Sequence, residues 1–147
     1  MEACKWLDNP ANRKKAASII GKAPYVNAPA DVIEARLTGI YDLGCDQGQQ
    51  IYTDDFMLFH NKGFVNFPRK SHAIWAMNQY VRFEYLKEAP DYQAIADKLI
   101  MQDLYKEVAA SMNVKVPDDD MKPFSLKLDN VTFDPNKPAE YLKLAKK

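Results

Sequence analysis

Arg69-Lys70-Ser71-His72 is the run of this sequence in which neighbouring side chains could best act on a ligand. Two cations stand where a long apolar segment begins, and the free N–H groups and positive dipole end of a helix start favour negative charge. Read as a site, Arg69, Ser71 and His72 are candidates for holding a small anion. Read as structure, Ser71 is the helix N-cap, a position for which Ser is among the leading residue types.

Other candidates for chemistry are thinner. His60 and His72 are the only histidines, and neither has a nucleophile at a recognisable spacing, so no catalytic residue is assigned and no enzyme is expected. Asp118-Asp119-Asp120 has the oxygen ligands that calcium favours, but the glycine and distal glutamate of an EF-hand loop are missing. A solvated turn capping the next segment is the simpler reading. The stretch GCDQGQQ, 44–50, has neither the GKS/T ending nor the preceding strand of a phosphate cradle. Cys4 and Cys45 lack metal-ligand spacing and read as two unpaired small residues. These residues point to no metal site and no cofactor.

Charge narrows the classes further. Twenty Lys and Arg balance twenty Asp and Glu, so no net field recruits nucleic acid or an anionic membrane. The 147 residues fit a single domain or fragment. The N-terminus, MEACKWLDNPANRKK, turns charged at once, so the sequence is expected to carry no export signal of its own and no spanning helix.

The elements that must position these residues read mainly as α-helix. EACKWL resembles the tail of a helix. Asn9 followed by Pro10 starts another over 10–20, closed by Gly21. Pro29 starts ADVIEARL, with Val32, Ile33 and Leu37 expected on one side and Gly39 at its end. From Thr38 to Lys70 the periodicity dissolves into a long irregular connection rich in aromatics, which must pack on something.

Between Ala73 and Lys87 ten of fifteen residues are apolar, too many for one stripe, so this helix is expected to have neighbours on several sides. Asp91 caps the next helix, which carries Tyr92, Ile95, Ala96, Leu99 and Ile100 on one face and continues through Leu104 and Val108 with a break near Gln102. The segment VPDDDMKPFSLKLDNVTFDPNKP is extended and turn-rich, and Pro138 starts a last helix. Little of the chain reads as sheet.

Longer strings carry more than these patterns. EACKWLDNPANRKKAASII, YVNAPADVIEARLTGIYD, NFPRKSHAIWAMNQYVRFEYLKEAPDYQAIADKLI, QDLYKEVA, VPDDDMKPF and FDPNKPAEYL resemble, in order, the C-terminal part of the nitrate- and bicarbonate-binding proteins of ABC transporters. The resemblance covers essentially all 147 residues.

It implies a substrate-binding protein of the periplasmic type, two α/β lobes closing on a small inorganic anion, of which this chain is similar to the helical C-terminal third. It also implies that the anion-contacting residues lie mostly outside the chain, in lobes that this segment braces. The implied partners are those lobes or the membrane permease and ATPase subunits, in a periplasmic or membrane-associated setting. A second reading of the same ancestry is a cytoplasmic nitrate-sensing or transporter-regulating module. If the lobes are absent, Trp75, Met77, Phe83 and the aromatics from Phe56 to Phe67 are expected to expose apolar surface, and the isolated chain is expected to form a homodimer.

Overall fold

A computed structural model describes residues 1–52, 57–127 and 130–144. Phe56, one of the aromatics singled out above, lies outside them. Contacts divide the chain into two units, Met1–Asn66 and Phe67–Lys147.

The first unit is built on three helices, α1 (Glu2–Asp8), α2 (Arg13–Ile20) and α3 (Ala30–Leu37). Asn9 accepts from the Ala11 amide at 3.1 Å, and Pro10 opens a short 3-10 turn that runs into α2. Gly21 succeeds α2 in ordinary right-handed geometry, so its role is spatial. A Cβ there would meet the Ala28 and Ala17 carbonyl oxygens at 2.8 and 2.9 Å, where the chain folds back from α2 toward α3.

The apolar centre of this unit is Ala16, Ala17 and Leu37, with Leu7, Ile33 and Phe59 packed against it. Val32 does not share the face of Ile33 and Leu37, as expected from the sequence, but faces solvent, because adjacent helical residues point about 100° apart. The connection after α3 holds an antiparallel hairpin, β1 (Ile40–Asp42) and β2 (Gln49–Ile51), with Tyr41 opposite Gln50. GCDQGQQ is therefore the turn of this hairpin and the first two residues of its second strand.

Two polar side chains hold the first unit together. Arg13 is 1% exposed and donates to the Leu37 carbonyl and, at 3.0 Å, to that of Met57. Asp8, at the end of α1, accepts from three successive amides, Phe59 at 2.6 Å, His60 at 3.1 Å and Asn61 at 2.6 Å. His60 is buried beside this contact, with Nδ1 3.3 Å from Asn66 Oδ1.

Burial opposes the Asp8 charge, but the three amides and His60 outweigh it and hold the carboxyl below its ordinary 3.8. A lowered folded pKa contributes stability that is complete above the unfolded value and is lost as pH falls through the folded one. Acid unfolding of the wild-type chain is thus expected to steepen below pH 3.8, and Asp8→Asn is expected to flatten that slope while lowering stability at pH 7. Urea titrations between pH 2.5 and 7 measure both. Parallel pH profiles for the two proteins would contradict this role of Asp8.

The second unit contains α4 (Lys70–Arg82), α5 (Tyr92–Leu99), α6 (Gln102–Ser111), a hairpin of β3 (Phe124–Ser125) and β4 (Thr132–Phe133), and α7 (Pro138–Leu144). Asp91 caps α5 by accepting from the Ala94 amide at 3.0 Å. The expected break falls at Ile100 and Met101, between α5 and α6.

Ile74, Ala96, Phe133 and Tyr141 form the core of this unit, one residue each from α4, α5, β4 and α7. Asn78, fully buried on α4, donates to the Pro138 carbonyl at 3.1 Å and accepts from the Tyr92 hydroxyl at 3.0 Å. This polar link ties α7 and α5 to α4 where an unpaired amide would be costly.

Helix α4 ends at Arg82, not at Lys87, and it is not covered all round: His72, Ala76 and Tyr80 are exposed, as is Phe83 at its C-cap. Trp75 and Met77, expected at the surface, instead pack against the core, and Phe67 is buried at 5%. Both hairpins are short, so little of the described chain forms sheet, as expected, and helix dominates. Among the described residues, no helix is long and apolar enough to cross a membrane.

Candidate functional site

Arg69, Ser71 and His72 do come together around one cleft of about 260 Å³, shared with Asp119, Asp120, Lys122, Pro123 and Phe124. Their placement is set by the way α4 begins. Arg69 occupies the N-cap position with extended backbone and makes no side-chain cap. Ser71 therefore lies inside the first turn, and the N-cap expected of it is supplied from elsewhere.

The cap comes from Asp120, 49 residues further along the chain. Its carboxylate accepts from the Lys70 and Ser71 amides, each at 3.2 Å, and from the Ser71 hydroxyl at 3.1 Å. It also accepts from Gln102 Nε2, which in addition donates to the Pro68 carbonyl at 3.0 Å. One acidic side chain thereby satisfies two of the orphan amides of α4, complements its dipole and fastens α6 to the same point.

Asp119 takes the neighbouring cation. Arg69 donates to it at 2.5 Å, with the arginine side chain only 11% exposed and the Asp119 side chain 40%. The guanidinium also lies over the Phe67 ring at 5.5 Å, and Phe67 meets Tyr105 edge-on at 5.4 Å. The hydrogen bond from Arg69 holds the Asp119 carboxyl below its ordinary value. The triple aspartate is thus a cap and ion-pair partner for α4, which precedes it in the chain, rather than a cap for the segment downstream of it.

His72 stands edge-on to Phe124, with ring centres 5.3 Å apart. Although the residue is exposed overall, desolvation of its ring beside Phe124 lowers its pKa from 6.5, and the nearby Arg69 lowers it further, against the opposing pull of Asp120 and Asp119. The shift disfavours the charged imidazolium, so His72 adds little to the attraction of an external anion. The cleft is positively lined only until its own two carboxylates are included.

Sequence reasoning found the three neighbours at the start of α4 but missed Asp120, Gln102 and Pro68. The only local signal was negative: Arg69 is a poor cap, so a helix beginning there needs an acceptor from another segment. First-unit clefts are less polar. Arg36 separates one lined by Asp31, Asp42 and Gln49 from another lined by Tyr41, Leu43 and Tyr52, and it lies 5.1 Å over the Tyr41 ring.

No family model matches the chain. It is 32% identical over 146 residues to the nitrate/nitrite binding protein NrtA of Synechocystis sp., covering 97% of this chain and 32% of that protein. It is 28% identical over 155 residues to the bicarbonate-binding protein CmpA of Synechococcus elongatus, covering 99% of this chain and 34% of the relative. The crystal structure of the periplasmic nitrate-binding protein NrtA from Synechocystis superposes with a TM-score of 0.85 at 28% identity, over 97% of this chain and 37% of that one.

The chain thus spans about a third of the length of the curated relatives it matches. Its mainly helical fold, with long irregular connections, is that of the C-terminal segment of a two-lobed α/β binding protein. Those relatives are described as binding proteins rather than enzymes.

Proposed function

Since this chain corresponds to the C-terminal part of the nitrate/bicarbonate ABC-transporter substrate-binding protein family, we propose that it serves as the C-terminal portion of a solute-binding protein for uptake of nitrate, nitrite or bicarbonate. The observation that carries this reading is the agreement in fold with the nitrate-binding structure over 97% of the chain. The segment braces the lobes that hold the anion and performs no catalysis. Its partners are those lobes and, through them, the permease and ATPase subunits of a transporter, in a periplasmic or membrane-associated setting. The homodimer expected from the sequence draws no support from the relatives.

A closed site for a small oxyanion needs donors converging from several sides. In the Arg69–Ser71–His72 cleft, the most favourable donors already face Asp119 and Asp120. An entering anion would have to displace one carboxylate and sit beside the other. The free chain is therefore expected to bind nitrate and bicarbonate with a Kd weaker than about 1 mM. Isothermal titration calorimetry tests this directly. A dissociation constant in the low micromolar range would overturn the bracing role and make Arg69, Ser71 and His72 a genuine anion site.

A further inference from the structure

At the C-terminal end of α4 a group of apolar side chains is largely exposed among the described residues. Ala76, Tyr80 and Phe83 recur at intervals of four and three residues, which places them on one helix face, opposite the buried Ile74 and Asn78. Tyr80 is 55% exposed, Phe83 60%, Tyr85 77% and Leu86 41%.

The turn beyond the helix fixes this surface in place. Glu84 adopts a left-handed backbone, φ 62°, unusual for a residue with a side chain. The Leu86 amide closes the turn on the Tyr80 carbonyl at 3.0 Å. Tyr85 is thereby brought against Tyr80, with ring centres 6.1 Å apart. An aromatic side chain presents about 150–250 Å², so three at these exposures, with Leu86, expose roughly 400 Å². Exposed apolar surface of that size is comparable to the largest patch on a typical monomer, which is often functional.

Its composition points to a permanent neighbour. Tyr80, Tyr85 and Leu86 carry no charge, the Arg82 guanidinium lies 5.5 Å over the Phe83 ring at one side, and Glu84, Lys87 and Glu88 adjoin them in sequence; an apolar centre of this kind with a charged rim suits an obligate interface better than a transient docking contact with a transporter. In the solved relative the matching fold makes up 37% of the chain, so there the segment shares its polypeptide with a larger remainder. We propose that the face formed by Tyr80, Phe83, Tyr85 and Leu86 is the seat of an α/β lobe of the binding protein itself. This rests on the solute-binding reading above and names the surface through which the bracing acts.

The test joins this chain to the lobes of the solved nitrate-binding relative in place of the matching third. The triple variant Tyr80→Ser/Phe83→Ser/Tyr85→Ser is made in that chimera and in the free chain. The free chain is expected to shift in melting temperature by less than about 2 °C, since exposed substitutions cost little. The chimera is expected to bind nitrate and to lose about 5 °C or more with the triple variant. A chimera that binds nitrate and melts unchanged by the substitutions would overturn the proposed seat and leave the solute-binding reading standing. A chimera that does not bind nitrate would defeat that reading and the seat with it. Light scattering on the free chain adds a measurement that needs no chimera: a dimer that the triple variant dissociates would assign the face to a second copy and overturn the proposal.

Discussion

Replacing Phe133 by Ala is expected to destabilise the second unit by about 3–5 kcal/mol, the range for removing a fully enclosed aromatic ring. Phe133 is 0% exposed and belongs to a two-residue strand that has almost no stability of its own. Its ring stands 5.6 Å from that of Phe124 on the paired strand and 5.4 Å from that of Tyr141 on α7, edge-on in the second case. Ile74 and Ala96 close the cluster from α4 and α5. Truncation therefore detaches a hairpin and a helix from the core together, and small domains have only about 5–15 kcal/mol to lose. Urea unfolding should show a lower midpoint, and Phe133→Leu, which refills part of the space, should recover a good share of it. A loss under about 1 kcal/mol for the alanine variant would mean that this cluster does not organise the unit.

Removing the carboxylate of Asp120 should have the next largest effect, about 2–3 kcal/mol for Asp120→Ala. Four donors face it: the Lys70 and Ser71 amides, the Ser71 hydroxyl and Gln102 Nε2. Ser71 is 1% exposed and Gln102 9%, so water replaces the lost acceptor poorly. Ser71→Ala removes only one of these contacts and is expected to cost about 1 kcal/mol. The ordering is the informative part, since equal losses would mean that Asp120 is not the shared cap of α4 and α6. Thermal denaturation of the two variants beside the wild type measures it.

These two side chains also mark where the sequence could be read and where it could not. Asn9-Pro10, Pro29, Asp91 and Pro138 announce helices through local chemistry, and α2, α3, α5 and α7 begin within a few residues of them. Strands of two and three residues are too short to show alternation, so neither hairpin was legible. The end of α4 carries no Gly or Pro to reveal it, because a left-handed glutamate makes the turn. The candidate anion residues were visible as neighbours in the chain. Asp119 and Asp120, which decide their electrostatics, are about fifty residues away and nothing local connects them. The ordered strings shared with anion-binding proteins were readable because they extend over nearly the whole chain, whereas the exposure of one face of α4 depends on tertiary packing.

The proposed solute-binding role and the alternative of a cytoplasmic regulatory module differ in what the segment is joined to. Sequencing the transcript that contains this reading frame addresses it most directly. For the proposed solute-binding role, the coding sequence of two binding-protein lobes is expected upstream and in frame, preceded by an export signal. An in-frame ATP-binding cassette in that position, or a stop codon with independent translation of these 147 residues, would contradict the solute-binding role and favour a module that regulates transport from the cytoplasm.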